Sequence, residues 1–341
     1  RGGCPVTNKF ILKRCTVDAW DRNCLETSLT SLKGVLTDTA LDPEILRKLL
    51  EFQAEDGSFL LTDSWNMPAD ARVDYGYVPT YLGAAILMRA YLAPEPQLPR
   101  EQIADALVRA LRLSCKRRLA GHGYEAEEGT LFALRVFKLG GLRDFLEKDP
   151  AICPEFQAVV WSLIDEREAQ LKSEGTIQGA WQEDYTDAWH ELLEEIRPGR
   201  RRYLAYGSNM CAEQMRYRCP QAAKIGVTYL KDWSLRLYGV ATIEPNPGDK
   251  TPAVIWEISR DDEKSLDRFE GYPECYTKQN FIVTVQGTRF SVMAYVMTER
   301  NKQRLRNTTP SEHYLEAIRR GYEENGLGEG RPTKRSIPSQ P

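Results

Sequence analysis

The sequence predicts a multi-domain chain: an all-α helical N-terminal domain followed by a smaller α+β domain. Three observations carry that expectation. From about residue 25 to 196 the apolar residues recur at helical spacing; Pro198-Gly199 then breaks the last helix; beyond the break, Val, Ile, Tyr and Thr alternate with polar residues at the period of strands. The domains are accordingly set at 1–197 and 198–327. Residues 328–341 form a flexible tail with too little apolar content to join a core.

The first helix opens on Asp42-Pro43-Glu44, which combines a capping carboxylate, a proline in the first turn and an acid near the positive end of the dipole. Ile45, Leu46, Leu49, Leu50 and Phe52 form its apolar stripe, and Asp56-Gly57 closes it. Further helices are expected over Tyr81 to Leu92, around Ile103, Leu107 and Leu111, around Phe156, Val159, Val160, Leu163 and Ile164, and around Trp189, Leu192, Leu193 and Ile196. In the second half, strands are expected over 202–206, 223–230, 233–240, 253–258, 276–286 and 289–297, and helices over 210–217, 261–269 and 310–324.

Composition narrows the function classes. The 341 residues are 42% hydrophobic and 28% charged with a formal net charge of -3, and contain no apolar run near the ~20 residues of a membrane span. That balance gives no drive toward nucleic acid or an anionic membrane. The basic clusters Lys116-Arg117-Arg118 and Arg200-Arg201-Arg202 are short and are expected to stay solvated. The cysteines at 4, 15, 24, 115, 153, 211, 219 and 275 include no Cys-x-x-Cys pair and no histidine cluster, which suits reduced thiols in a cytoplasmic protein. Cys4, Cys15 and Cys24 lie close enough in sequence to leave a local bridge or metal open, and Arg1-Gly2-Gly3 gives no ground for inferring secretion. His122 and His190 stand alone and are read as structural.

The chemistry gathers at Leu204 to Met210, "LAYGSNM", a buried strand that stops on Gly207-Ser208-Asn209 before a helix. Two readings are open from these residues. Gly, Ser and Asn are ordinary turn and helix-start residues; equally, outward-pointing amides at a strand-to-helix turn, with the helix dipole behind them, suit an anion such as a carboxylate.

Two resemblances add to this. "LLEFQAEDGSF" followed by "YGYVPTYLGAAILMRAYL" is similar to one helical hairpin of the α/α-toroid proteins, such as terpene cyclases and prenyltransferases. No second copy and no aspartate-rich motif accompany it, and Asp70 and Asp74 are read as helix-start or surface residues. The series "RYLAYGSNM", "MRYRCPQAAKIGVTYLKDWSLRLYG", "ATIEPNPGDKTPAVIWEIS", "LDRFEGYPECYTK", "SVMAYVM" and "YLEAIRRGYEENGL" resembles the gamma-glutamylcyclotransferase family in its AIG2-like bacterial branch, over about 202 to 327.

That resemblance implies a compact domain around a small, mixed, partly closed sheet. It implies cleavage of a gamma-glutamyl amide by internal cyclisation, releasing 5-oxoproline and a free amine or amino acid. The family's substrate loop falls on Tyr206, Gly207, Ser208 and Asn209, and its acid/base glutamate on Glu270. The reaction asks for neither metal nor cofactor, because the alpha-amine of the glutamyl group is its own nucleophile. The protein must fold the glutamyl chain into an attacking conformer and carry a proton from that amine to the leaving one.

Glu270 suits proton transfer because it ends a short helix beside Phe269, Tyr272 and Pro273, where burial would raise its pKa. Glu274 fits no motif position and is expected to be exposed. Gly207 lets the backbone approach a ligand closely, so the loop is given a mainly backbone role. Tyr276 and Tyr295 are read equally well as hydrogen-bonding walls of the pocket or as ordinary half-buried strand tyrosines. Tyr314 and Tyr322 are assigned to packing the last helix, and Cys211, Cys219 and Cys275 to packing as well.

The expected partner is a small-molecule gamma-glutamyl substrate. The helical half could shape the site mouth, select the amine-bearing half of the substrate or mediate homodimerisation. Two other readings compete with catalysis by the second domain alone: a gamma-glutamyl ligand sensor with a helical effector, and a bifunctional enzyme whose helical half acts on a specialised metabolite.

Overall fold

The computed structural model describes residues 33–36, 41–59, 69–116, 124–177 and 185–328. Cys4, Cys15, Cys24, His122, the tail from 329 and the side chains of Asp70 and Asp74 lie outside the described residues. By compactness the chain divides into two units, Arg1–Val159 with Thr176–Arg197, and Val160–Gly175 with Pro198–Pro341. The second unit thus takes a stretch of helix, 160–175, that the sequence pattern groups with the helical half.

The first unit is helical: α1 (Pro43–Phe52), α2 (Ala69–Leu92), α3 (Arg100–Ser114), α4 (Tyr124–Leu139), α5 (Leu142–Lys148), the start of α6 (Pro154–Glu174) and α7 (Tyr185–Ile196). The stripes expected from spacing are the buried faces: Leu46 and Leu49 of α1, Ile103, Leu107 and Leu111 of α3, and Trp189, Leu192, Leu193 and Ile196 of α7 are all buried. Asp42 caps α1, its carboxylate accepting from the Glu44 amide at 2.8 Å. Edge-to-face contacts between Tyr81 and Phe137 (5.8 Å) and between Phe137 and Phe156 (5.1 Å) tie α2, α4 and α6 together. Gln53 ties the Asp56-Gly57-Ser58 turn to α3, its Nε2 donating to the Gly57 carbonyl at 3.3 Å and to the Ala106 carbonyl at 2.8 Å. His190 is exposed on α7.

The second unit holds β1 (Arg200–Ala205), a 3-10 turn (Ser208–Met210), α8 (Ala212–Arg218), β2 (Ala223–Tyr238), β3 (Val240–Ser259), α9 (Arg260–Glu270), β4 (Tyr276–Val285), β5 (Thr288–Met297), α10 (Glu299–Leu305) and α11 (Glu312–Glu324). Its five strands form one mixed sheet in the order β2-β3-β1-β5-β4. β1 lies at the centre, antiparallel to β3 and parallel to β5. The sheet is not closed, although its outer strands approach where Thr228 Oγ1 donates to the Thr284 carbonyl at 2.9 Å. The two strands expected over 223–240 are one strand with an irregularity between Lys231 and Trp233, where Asp232 takes a left-handed conformation (φ 64). Residues 241–245 and 250–252, not expected as strand, pair with β2 within β3, and α10 is a further helix that spacing did not indicate.

Arg201 corrects an expectation. Strand alternation turns Arg200 outward and Arg201 inward, where its side chain is 3% exposed and its guanidinium grips Asp165 of α6 at 2.6 and 2.7 Å and Glu263 of α9 at 2.8 Å. Lys278 of β4 joins the same buried group through Glu263 (2.8 Å) and Asp267 (2.9 Å). The Trp161 ring covers the guanidinium at 4.2 Å. Burial alone would push Arg201 down, but Asp165 and Glu263 outweigh it and hold the cation.

Candidate active site

The centre of the site is the point where β1 ends. Tyr203, Leu204 and Ala205 are buried in the middle of the sheet, and the chain leaves them through Tyr206 and Gly207 into the 3-10 turn. The bonds closing that turn are donated by Met210 to the Gly207 carbonyl (3.0 Å) and by Cys211 to the Ser208 carbonyl (3.1 Å). The amides of Gly207, Ser208 and Asn209 therefore precede the first bonded one, as at any helix start.

Helix α11 braces the turn from behind. A Cβ on Gly321 would come within 2.8 Å of Met210 Cβ, so glycine allows this approach. Asn325 Nδ2 donates to the Met210 carbonyl at 3.1 Å, and Glu324 accepts from the Ala212 amide at 2.9 Å, capping α8 from another element.

Glu270 is the last residue of α9. Gly271 follows in the left-handed conformation (φ 64), and the Tyr272 amide reaches back to the Asp267 carbonyl at 2.9 Å, the wide bond of a glycine-capped helix end. This ending aims Glu270 at the loop. Its Oε1 accepts from Asn209 Nδ2 at 3.2 Å and lies 3.5 Å from Arg218 Nη1 of α8. The side chain is 16% exposed. Burial pushes its carboxyl above the ordinary value, against the opposing pull of Arg218 and of the Asn209 hydrogen bond.

Asn209 has its side chain fully engaged. Its amide nitrogen donates to Tyr203 Oη (2.8 Å) as well as to Glu270, and its Oδ1 accepts from Gln214 Nε2 (2.8 Å) and Arg218 Nη1 (3.0 Å). Arginine can only donate, so the atom facing Arg218 must be the oxygen and the amide's orientation is determined. Trp256 Nε1 adds a bond to the Asn209 carbonyl at 3.1 Å.

These groups line a cavity of about 140 Å³ that brings together every residue the sequence nominated: Tyr206, Gly207, Ser208, Asn209, Glu270, Tyr276 and Tyr295. Tyr203, Arg218, Val240, Ala241, Phe269 and Tyr314 complete the lining. Pockets for drug-sized ligands run to roughly 300–1,000 Å³, so this cavity suits a short polar group. The tyrosine hydroxyls are held by the protein. Tyr206 donates to the Tyr295 carbonyl, Tyr276 to the Ala241 carbonyl (2.8 Å) and Tyr295 to Asp267 (2.6 Å). Having given up their single hydrogen, they present only acceptor lone pairs to anything else.

Two expectations change. Tyr272 turns toward α6 and is not part of the cavity lining, which Glu270 shares with Tyr203, Tyr206, the loop and Phe269, the last 48% exposed. Tyr314, assigned to packing, also lines the cavity, accepting from the Ala241 amide at 2.9 Å and hydrogen-bonding Ser208. Glu274 is exposed, and the buried Cys219 thiol is pushed up to about 12 by desolvation, so it stays protonated. Tyr203, Gln214, Arg218, Trp256 and Tyr314 were not foreseen. Period-two alternation running back from Ala205 through Tyr203 was the one available signal. Among the described residues no group of three or more His, Cys, Asp or Glu could hold a metal ion, and no helix is long and apolar enough to cross a membrane.

A small α+β unit with a desolvated carboxyl beside a glycine-containing strand-to-helix loop is the framework of an acid/base site for a small polar ligand. The family model described as "Gamma-glutamyl cyclotransferase, AIG2-like" matches residues 203–316, all within that unit. The human protein named gamma-glutamylcyclotransferase is 32% identical over 142 residues, 37% of this chain and 71% of its own length. Its bovine counterpart is 32% identical over 139 residues, with the same coverage. A solved human structure described as an uncharacterized protein is 31% identical, covering 38% of this chain and 83% of that one, with a TM-score of 0.33. The chain belongs to the gamma-glutamylcyclotransferase family.

Proposed function

We propose that the second unit is a gamma-glutamyl cyclotransferase that releases 5-oxoproline and a free amine or amino acid from a gamma-glutamyl amide. The single observation that carries this reading is the pairing of a raised, mostly buried Glu270 carboxyl with the Tyr206-Gly207-Ser208-Asn209 loop across one small cavity.

The ionised Glu270 takes a proton from the substrate's alpha-ammonium. The freed amine attacks the gamma-carbonyl carbon, the new C–N bond closes a five-membered ring, and the carbonyl oxygen becomes an oxyanion. As the oxyanion collapses, the bond to the leaving nitrogen breaks, and that nitrogen takes the proton held by Glu270. The restored carboxylate then takes the second ammonium-derived proton from the ring nitrogen, leaving the neutral lactam, and passes it to the released amine, so one residue serves every transfer. Such proton transfer contributes on the order of 10² to 10⁴ in rate, and holding the attacking conformer contributes up to roughly 7–11 kcal/mol.

The loop amides and the Tyr314 hydroxyl supply donors for the alpha-carboxylate or the oxyanion. Tyr206 and Tyr276, left as acceptors, suit the ammonium. The cavity's size fits the glutamyl half and leaves the amine half toward its edge. Incubation with a panel of gamma-glutamyl amides and dipeptides, with 5-oxoproline as the readout, tests the reading: release from at least one member supports it, and none from any, with folded protein, counts against it.

A further inference from the structure

The family match begins at residue 203, yet the unit that holds the site includes Val160–Gly175 of α6. That helix segment meets the chain two residues after Glu270. Tyr272 is 5% exposed and is held at both ends by α6: its hydroxyl donates to the Asp165 carbonyl at 2.9 Å, and its own carbonyl accepts from Lys172 Nζ at 2.6 Å. Asp165 is in turn anchored by its two bonds to Arg201 and by Asn280 Nδ2 at 3.0 Å. A second line runs through the buried charges: Arg201 to Glu263, Glu263 to Lys278, Lys278 to Asp267, and Asp267 to the hydroxyl of Tyr295 on the cavity wall.

We infer that the second half of α6 is a working part of the catalytic unit, and that Lys172 and Tyr272 are positioning residues that fix the turn after Glu270 and so the aim and burial of its carboxyl. Glu270 has no fold-independent reason to face Asn209; it does so because the helix ends on Gly271 and the next residue is pinned. A turn pinned at one end only would let the carboxyl swing toward water. Lys172 lies outside the cavity, is exposed, and reaches the turn only through Tyr272, by the bond to its carbonyl and by its ammonium 5.4 Å over its ring. The inference rests on Glu270 as the proton carrier, and its test includes a readout that does not need turnover.

The variants are Tyr272→Phe, which removes the bond to Asp165 without changing charge, and Lys172→Met, which removes the bond to the Tyr272 carbonyl. Each is compared with wild type for kcat, KM and the Glu270 titration followed by carboxyl 13C shift. The groups facing Glu270 are Arg218 from α8, Cys219 beyond it, Tyr203 and Tyr206 from β1 and its end, Tyr276 from β4, Tyr295 from β5 and Tyr314 from α11. Both variants leave these in place. Positioning predicts that loosening the turn hydrates the carboxyl, so its pKa falls toward the ordinary value in both variants. Loss of the Lys172 cation acting through space would move it up instead. We expect kcat to fall about tenfold or more with KM changed by less than about threefold, and Lys172→Arg to recover most of the loss. Folded variants with kcat and the Glu270 titration unchanged, or with an upward shift in Lys172→Met alone, would overturn the inference. If wild type releases no 5-oxoproline, the activity reading fails on its own, and the titration still decides whether α6 sets the state of Glu270.

Discussion

Asn209 Nδ2 donates to Glu270 Oε1 across 3.2 Å, and the oxygen of the same amide is held by Arg218 and Gln214. The loop and the acid are thus one hydrogen-bonded assembly. Substituting Asn209→Leu removes a bond that favours the carboxylate, so the Glu270 pKa should rise further. We expect kcat/KM to fall at least tenfold, with the acidic limb of its pH profile displaced upward.

The pH dependence has a defined sign. In the proposed reaction Glu270 must be ionised to accept the ammonium proton, and burial raises its pKa. Activity should therefore disappear on acidification through a value above the ~4.3 of a free glutamate. Arg218→Gln removes the cation that opposes that rise and should move the limb higher still, which a kcat/KM profile would show.

The same shift predicts stability. A carboxyl raised by folding contributes fully below its unfolded pKa, and that contribution is lost as pH rises through the folded value. Glu270→Gln should then be at least as resistant to thermal unfolding as wild type at neutral pH, with any advantage vanishing near pH ~4. A large loss of stability at pH 7 would mean that Glu270 serves the fold rather than the chemistry.

The loop separates shape from side-chain chemistry. A Cβ on Gly207 would stand 3.0 Å from Ala241 Cβ and 3.5 Å from Tyr314 Oη, inside the cavity wall. Gly207→Val should lower kcat/KM by about a hundredfold, the scale of an ångström-sized displacement. Ser208→Ala removes the bond from Gln214 at 2.6 Å and the one with Tyr314 but no backbone amide, and should cost less than about tenfold. The reverse ranking would point to a side-chain role for Ser208.

The buried charges make a claim about the fold. Removing Asp165 leaves Arg201 beside Glu263 and Lys278 without its bidentate partner. Breaking such a pair costs about 3–5 kcal/mol. Asp165→Ala should lower the guanidinium unfolding midpoint of the second unit accordingly, far more than Glu257→Ala, which breaks the exposed pair with Arg200.

Much of this was legible in the sequence for local reasons. A strand broken by Gly207, an acid at a helix end before Gly271, and four-residue apolar spacing in α1, α3 and α7 each depend on near neighbours. What was missed depends on register and packing. Arg201 reads as one of three solvated arginines until α6 places Asp165 opposite it. Arg218 and Gln214 meet Asn209 only because α8 folds back over the turn. Tyr314 reaches Ala241 from an element more than seventy residues away along the chain. Of the neighbours anticipated for Glu270, Phe269 lines the cavity beside it, whereas Tyr272 turns to α6.

The central claim is that Glu270 carries the proton in a cyclisation that releases 5-oxoproline. Its most direct test compares 5-oxoproline release by wild type and by Glu270→Gln, both verified as folded, on the same gamma-glutamyl amide. Release by wild type and a loss of at least about a hundredfold in the variant is the predicted result; equal release by the two proteins would contradict it.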